Sequence, residues 1–139
     1  MKYKLTDVKI NFMGKTLFQI EAVKCFGDIV KGQKGGFIEK ESNLSQGGDA
    51  WVSGNAKVYG NAEVSGNADY LVIGPIGSRN DITTFFKTAN NDIKVSCGCF
   101  TGNIEEFLEK VNETHGNNNY AKEYKTAVEI AKIHIFGGE

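Results

Sequence analysis

Gly48-Asp49-Ala50-Trp51-Val52-Ser53, Gly54-Asn55-Ala56-Lys57-Val58-Tyr59, Gly60-Asn61-Ala62-Glu63-Val64-Ser65 and Gly66-Asn67-Ala68-Asp69-Tyr70-Leu71 are four consecutive hexads in one register. Their consensus is Gly-[Asp/Asn]-Ala-x-Val-x. Alternate residues of an extended backbone share a face, so Ala and Val point to one side of a short strand. The Gly-Asn pair suits a corner, because both residues tolerate left-handed dihedrals. Small Ala beside larger Val fits a narrow three-sided interior. The x positions Trp51, Ser53, Lys57, Tyr59, Glu63, Ser65 and Asp69 are expected to face outward. A flexible linker has no reason to keep such strict alternation.

This repeat resembles that of hexapeptide-repeat proteins, in which three hexads make one coil of a left-handed β-helix. The preceding stretch, Phe26 to Ser45, with Gly32, Gly35-Gly36 and Phe37-Ile38, is similar to the segment leading into such repeats in uncharacterised phage and prophage proteins. The resemblance covers roughly residues 22–71. It implies a short left-handed β-helix, little more than one coil, and a homo-oligomer, commonly a trimer. One isolated coil buries too little to stand alone, so neighbouring coils or chains must cover it. Trp51 and Tyr59 are then candidates for packing between protomers.

Outside the repeats the pattern changes. Val8-Lys9-Ile10-Asn11-Phe12 and Phe18-Gln19-Ile20-Glu21-Ala22 alternate apolar and polar around a turn at Met13-Gly14-Lys15, which reads as a β-hairpin. Tyr70 to Ile73 reads as a short strand. Ile82 to Lys87 and Ile93 to Cys99, joined by Ala89-Asn90-Asn91-Asp92, read as a second hairpin. Asn103 with Glu106 forms a capping-box pattern, followed by Ile104, Phe107, Leu108 and Val111 at helical spacing. Gly116 ends that helix. Another starts near Asn119, with Tyr120, Tyr124, Ala127, Val128 and Ala131 on one stripe. The expected fold is therefore mixed β/α. Residues 1–71 carry the N-terminal hairpin and hexapeptide-repeat β-helix, and residues 72–139 a small α+β module with two helices.

Composition narrows the function. The formal net charge is −1, so no global basic field points to a nucleic-acid polymer. Eight lysines against four acids in residues 1–40 read as a solvated face. No apolar run of about 18 residues predicts a membrane span. The first residues lack an apolar signal core, and three cysteines argue against a disulfide framework. The expected location is a reducing cytoplasm, which the phage resemblance implies is that of a bacterial host.

Three constellations bear on chemistry. Many hexapeptide-repeat proteins are acetyltransferases that use a histidine base, but the hexads contain no histidine. His115 and His134 lie elsewhere, and a base must reach the acceptor directly or through one water. No catalytic residue is therefore assigned. Cys97-Gly98-Cys99 has one-residue spacing, unlike structural zinc pairs, and only Cys25 and His115 could complete a set. No metal or cofactor is expected. Gly74-Pro75-Ile76-Gly77-Ser78-Arg79-Asn80 follows an apolar strand. Glycines let backbone N–H groups approach an anion, and Ser78 and Asn80 offer side-chain hydrogen bonds. Arg79, the only arginine in the chain, offers a planar fork for phosphate or carboxylate. Gly77, Ser78, Arg79, Asn80, Thr83, Thr84 and Lys87 form the expected ligand loop.

The expectation is a non-enzymatic, phage-type oligomeric protein that sequesters a small anionic ligand. A host immune nucleotide signal is the candidate by analogy. A structural or host-protein-binding scaffold and a hexapeptide-repeat acetyltransferase are the alternatives.

Overall fold

The computed structural model describes residues 1–12, 14–54, 56–66, 69–77, 81–98 and 100–137, with Asp81 described by its backbone alone. The strands are β1 (Tyr3–Phe12), β2 (Lys15–Ala22), β3 (Lys34–Ile38), β4 (Lys57–Val58), β5 (Tyr70–Ile76), β6 (Asp81–Lys87), β7 (Ile93–Cys97) and β8 (Phe100–Asn103). The helices α1 (Ile104–His115) and α2 (Asn119–Phe136) follow. Two four-stranded sheets form, in the orders β1-β2-β3-β4 and β5-β6-β7-β8.

The left-handed β-helix is not what the chain builds. Among the described residues of the first three hexads, Lys57–Val58 alone forms a strand, paired parallel to β3 at Phe37↔Lys57 and Ile38↔Val58, and the fourth hexad gives its Tyr70 and Leu71 to the antiparallel β5. A single parallel bridge, Leu44↔Val64, adds to it. The other pairings in both sheets are antiparallel. The physical reason lies in how the repeat is covered. A solenoid coil is buried by coils above and below it, and four hexads supply no such stack. Other elements take that place. Gly36 N–H donates to the Val52 carbonyl at 2.7 Å and Ser45 N–H to the Val64 carbonyl at 2.9 Å. On the other side, Glu63 N–H reaches the Lys87 carbonyl at 2.9 Å.

The alternation itself survives this change. Ala50, Val52, Ala56, Val58, Ala62 and Val64 are all buried in one core. The corners at Gly48, Gly54 and Gly60 have φ of +64°, +60° and +64°, a region that side chains with a Cβ disfavour. The outward assignment fails at both aromatics: Trp51 is 4% exposed and Tyr59 0%. Phe26 packs on Trp51 at 5.5 Å between ring centroids. Tyr59 lies between Phe12 at 5.5 Å and Phe86 at 5.2 Å.

β1 and β2 form the expected hairpin, paired from Tyr3↔Ala22 to Phe12↔Lys15 with a register shift between Leu5 and Lys9. β6 and β7 form another, with Phe85↔Val95 and Lys87↔Ile93. Asn103 caps α1: its side chain accepts from Glu106 N–H at 2.8 Å, and Glu106 Oε1 accepts from Asn103 N–H at 2.9 Å. Asn118 caps α2 through Ala121 N–H at 3.0 Å. The helices bury Phe107, Val111, Tyr124, Val128 and Ala131 in a second core with Phe85 and Val95 of the sheet. β6 joins the two cores, because neighbouring residues point to opposite faces. Phe86 enters the first and Phe85 the second.

Candidate ligand cleft

The expected ligand loop leaves β5 at Ile76. Gly77 is buried at φ +79°, and a Cβ there would lie 1.8 Å from the Tyr124 hydroxyl. Only glycine fits this approach of the turn to α2. The Gly77 N–H donates to Glu123 Oε1 at 3.0 Å. Ser78, Arg79 and Asn80 lie outside the described residues.

The other expected members do not converge on Gly77. Thr83 and Thr84 are both buried and, as neighbours on β6, point to opposite faces. Thr83 Oγ1 donates to Cys97 Sγ at 3.2 Å, whereas Thr84 Oγ1 accepts from Lys57 N–H at 3.4 Å. Lys87 sits at the far end of β6 from Asp81, about 20 Å away at strand rise. Thr83 and Thr84 pair with Ile73 and Val72 of β5, whereas Gly77 follows Ile76 of the cleft wall and donates to Glu123 of its rim.

That cleft lies between β5 and α2, with a volume of ≈ 470 Å³. Ile73, Ile76, Ala127 and Ile130 supply its apolar wall, and Asn119, Lys122, Glu123 and Thr126 its polar rim. Its size falls in the range of small-molecule sites, roughly 300–1,000 Å³. Two other hollows have different electrostatics. One, of ≈ 520 Å³ on the opposite flank of α2, sets Asp92, Glu105 and Glu129 against Lys132. The second, of ≈ 390 Å³, has Asp28 and Asp49 beside Trp51 and Tyr70 and no described cation. Carboxylate excess disfavours an anion in both. In the β5–α2 cleft one ammonium balances one carboxylate.

Sequence reading missed Lys122, Glu123 and Ile130. A signal existed. Ile130 and Ile133 fall off the apolar stripe that packs α2 onto the sheet, and they stand 45% and 61% exposed. Tyr120, expected on the stripe, is also exposed.

His115 ends α1, its ring stacked on Tyr124 at 5.9 Å and 23°. Cys25 is exposed, Cys97 half-buried, and Cys99 lies outside the described residues. No group of three or more His, Cys, Asp or Glu among the described residues could hold a metal ion. No described helix is long and apolar enough to cross a membrane.

The sequence matches no family model and no curated protein.

Proposed function

We propose that the protein is a non-catalytic, oligomeric binding protein that sequesters a small ligand with an apolar body and an anionic edge. A nucleotide is the ligand class that fits. The observation that carries this reading is the β5–α2 cleft: a four-residue apolar wall beside the Gly77 turn, with Lys122 on its rim. A base or nucleoside would lie against Ile73, Ile76, Ala127 and Ile130, and its phosphate would face Lys122 and the turn. The phage resemblance of residues 22–71 gives the reading its biological setting, capture of a host immune nucleotide signal in the bacterial cytoplasm.

Calorimetric titration with AMP, ADP-ribose and a cyclic dinucleotide tests the proposal. At least one should bind and be recovered unchanged by mass spectrometry, and Ile130→Glu should abolish the heat. No binding by any of the three, or unaltered binding by Ile130→Glu, would rule the reading out.

A second reading, a protein-binding scaffold, is favoured by one observation: Ile130, Ile133 and Tyr120 expose apolar surface along α2. Exposed apolar patches commonly mark partner surfaces. Loss of self-association or of a co-purifying host protein in Ile133→Glu, with nucleotide binding absent, would support it.

A further inference from the structure

We propose that Glu123 holds the place of the ligand's anionic group at the Gly77 amide and is displaced when the ligand binds. This rests on the cleft reading above and deepens it. The Glu123 carboxylate accepts the Gly77 N–H at 3.0 Å. That contact is the one an oxygen of a phosphate or carboxylate ligand makes with a turn amide. Glu123 also forms part of the cleft rim, so the occupied amide and the open cleft are contiguous.

Two features make the exchange workable. The donor is fixed independently of Glu123, because the Gly77 turn packs against the buried Tyr124, whose hydroxyl fills the space a Cβ would need. When the carboxylate leaves, the N–H keeps its direction. The acceptor, by contrast, is held lightly. Glu123 is exposed on α2, and the ion pairs among the described residues are Lys34–Glu21 and Lys132–Glu129. A long, exposed side chain held by no described ion pair can rotate into water, where its charge is solvated. Lys122 stays on the rim to meet the incoming anion.

An internal occupant lowers apparent affinity by the fraction of time it blocks the site. Removing it should therefore tighten binding. The test is titration of AMP, ADP-ribose and a cyclic dinucleotide into wild type, Glu123→Ala, Glu123→Gln and, as a charge control on the same helix, Glu129→Ala. Glu123→Ala is expected to bind about tenfold more tightly than wild type, the size of one charge-assisted hydrogen bond. Glu123→Gln keeps an acceptor but not the charge, so its gain should be smaller. An equal gain in Glu129→Ala would reduce the effect to net charge and overturn the inference. So would unchanged or weaker binding by both Glu123 variants, the result expected if the contact only ties the turn to α2. If wild type binds, Ile130→Glu does not, and neither Glu123 variant gains, the role of Glu123 falls and the cleft reading stands. If no variant binds AMP, ADP-ribose or the cyclic dinucleotide, both proposals fail.

Discussion

At the scale of single residues, the first core is built around polar atoms that the alternation rule does not mention. Lys2 is 1% exposed, yet its ammonium donates to the carbonyls of Ala50 at 2.6 Å, Gly47 at 3.2 Å and Gly48 at 3.4 Å. It also lies 4.9 Å from the centre of the Phe26 ring. Tyr3 donates to the Leu44 carbonyl at 2.6 Å, and the Glu41 carbonyl lies 3.1 Å from its hydroxyl. These contacts pin the segment entering the repeat to β1. Burial raises the Tyr3 hydroxyl above its ordinary value of 10.0, with Glu41 adding to the rise. Burial likewise raises Tyr59, against an opposing hydrogen bond from Thr101. Burial lowers Lys2, partly offset by Asp49. The signs then follow. A tyrosine with a raised folded-state pKa gives stability that is complete below the unfolded value of 10.0. That stability is lost as pH climbs from there toward the folded value. The lowered Lys2 works the other way over the range just below 10.5. Above pH 10.5 Lys2 is deprotonated in both states and the tyrosines set the slope, so melting temperature should fall there. Tyr3→Phe should melt lower at neutral pH, because buried carbonyls lose their donor at a cost of about 1–3 kcal/mol. It should also show a shallower alkaline decline. Thermal melts from pH 8 to pH 11 check this, and an alkaline slope identical to wild type would contradict it. None of these partners was legible in the sequence. Lys2 reads as one surface lysine among eight, and only the folded path of residues 46–50 brings three carbonyls to it.

At the scale of elements, legibility followed the strength of local signals. The capping box at Asn103 and Glu106 names its own hydrogen bonds, and both form. The β1–β2 hairpin shows long alternation and sits where that alternation placed it. β8 was missed because Phe100–Asn103 is four residues long and contains Gly102, with no period to read. The repeat was misread one step further on. Period two shows which side chains share a face, but not what covers each face. The Ala and Val face is inward as expected, while Trp51 and Tyr59, expected outward and between protomers, are instead packed by β1, β6 and the 22–33 segment of the same chain. The site shows the same division. Gly77 carried a glycine signal that the contact with Tyr124 explains. Thr83 and Thr84 looked like partners only because they are adjacent, and adjacency on a strand means opposite faces. The Gly77 contact yields a prediction at this scale. Gly77→Ala must displace either the turn or Tyr124 from the second core. It should lower stability by about 1–3 kcal/mol, the range for a strained positive-φ position. Denaturant unfolding measures it, and a midpoint equal to wild type would show that the turn does not pack on α2 as described.

At the scale of the whole molecule, β6 ties the N-terminal sheet to the helical module. Phe86 faces the repeat and Phe85 faces the helices. Tyr59 adds a hydrogen bond from the repeat to Thr101 of β8. The chain should therefore unfold in one cooperative transition, and Phe86→Ala should lower its stability by about 3–5 kcal/mol without splitting it. Two resolved calorimetric transitions in wild type would contradict this coupling. The same arrangement places the ligand cleft. α2 lies across β5, its buried stripe holding the sheet while Ile130 and Lys122 remain open beside Ile73 and Ile76. The most direct test is a methyl NMR titration of isoleucine-labelled protein with ADP-ribose. The proposal expects saturable shifts at Ile73, Ile76 and Ile130, with Ile29 and Ile38 unmoved. Absence of shifts at millimolar ADP-ribose and equally with AMP and a cyclic dinucleotide, or shifts centred on Ile29 beside Asp28 and Asp49, would contradict it.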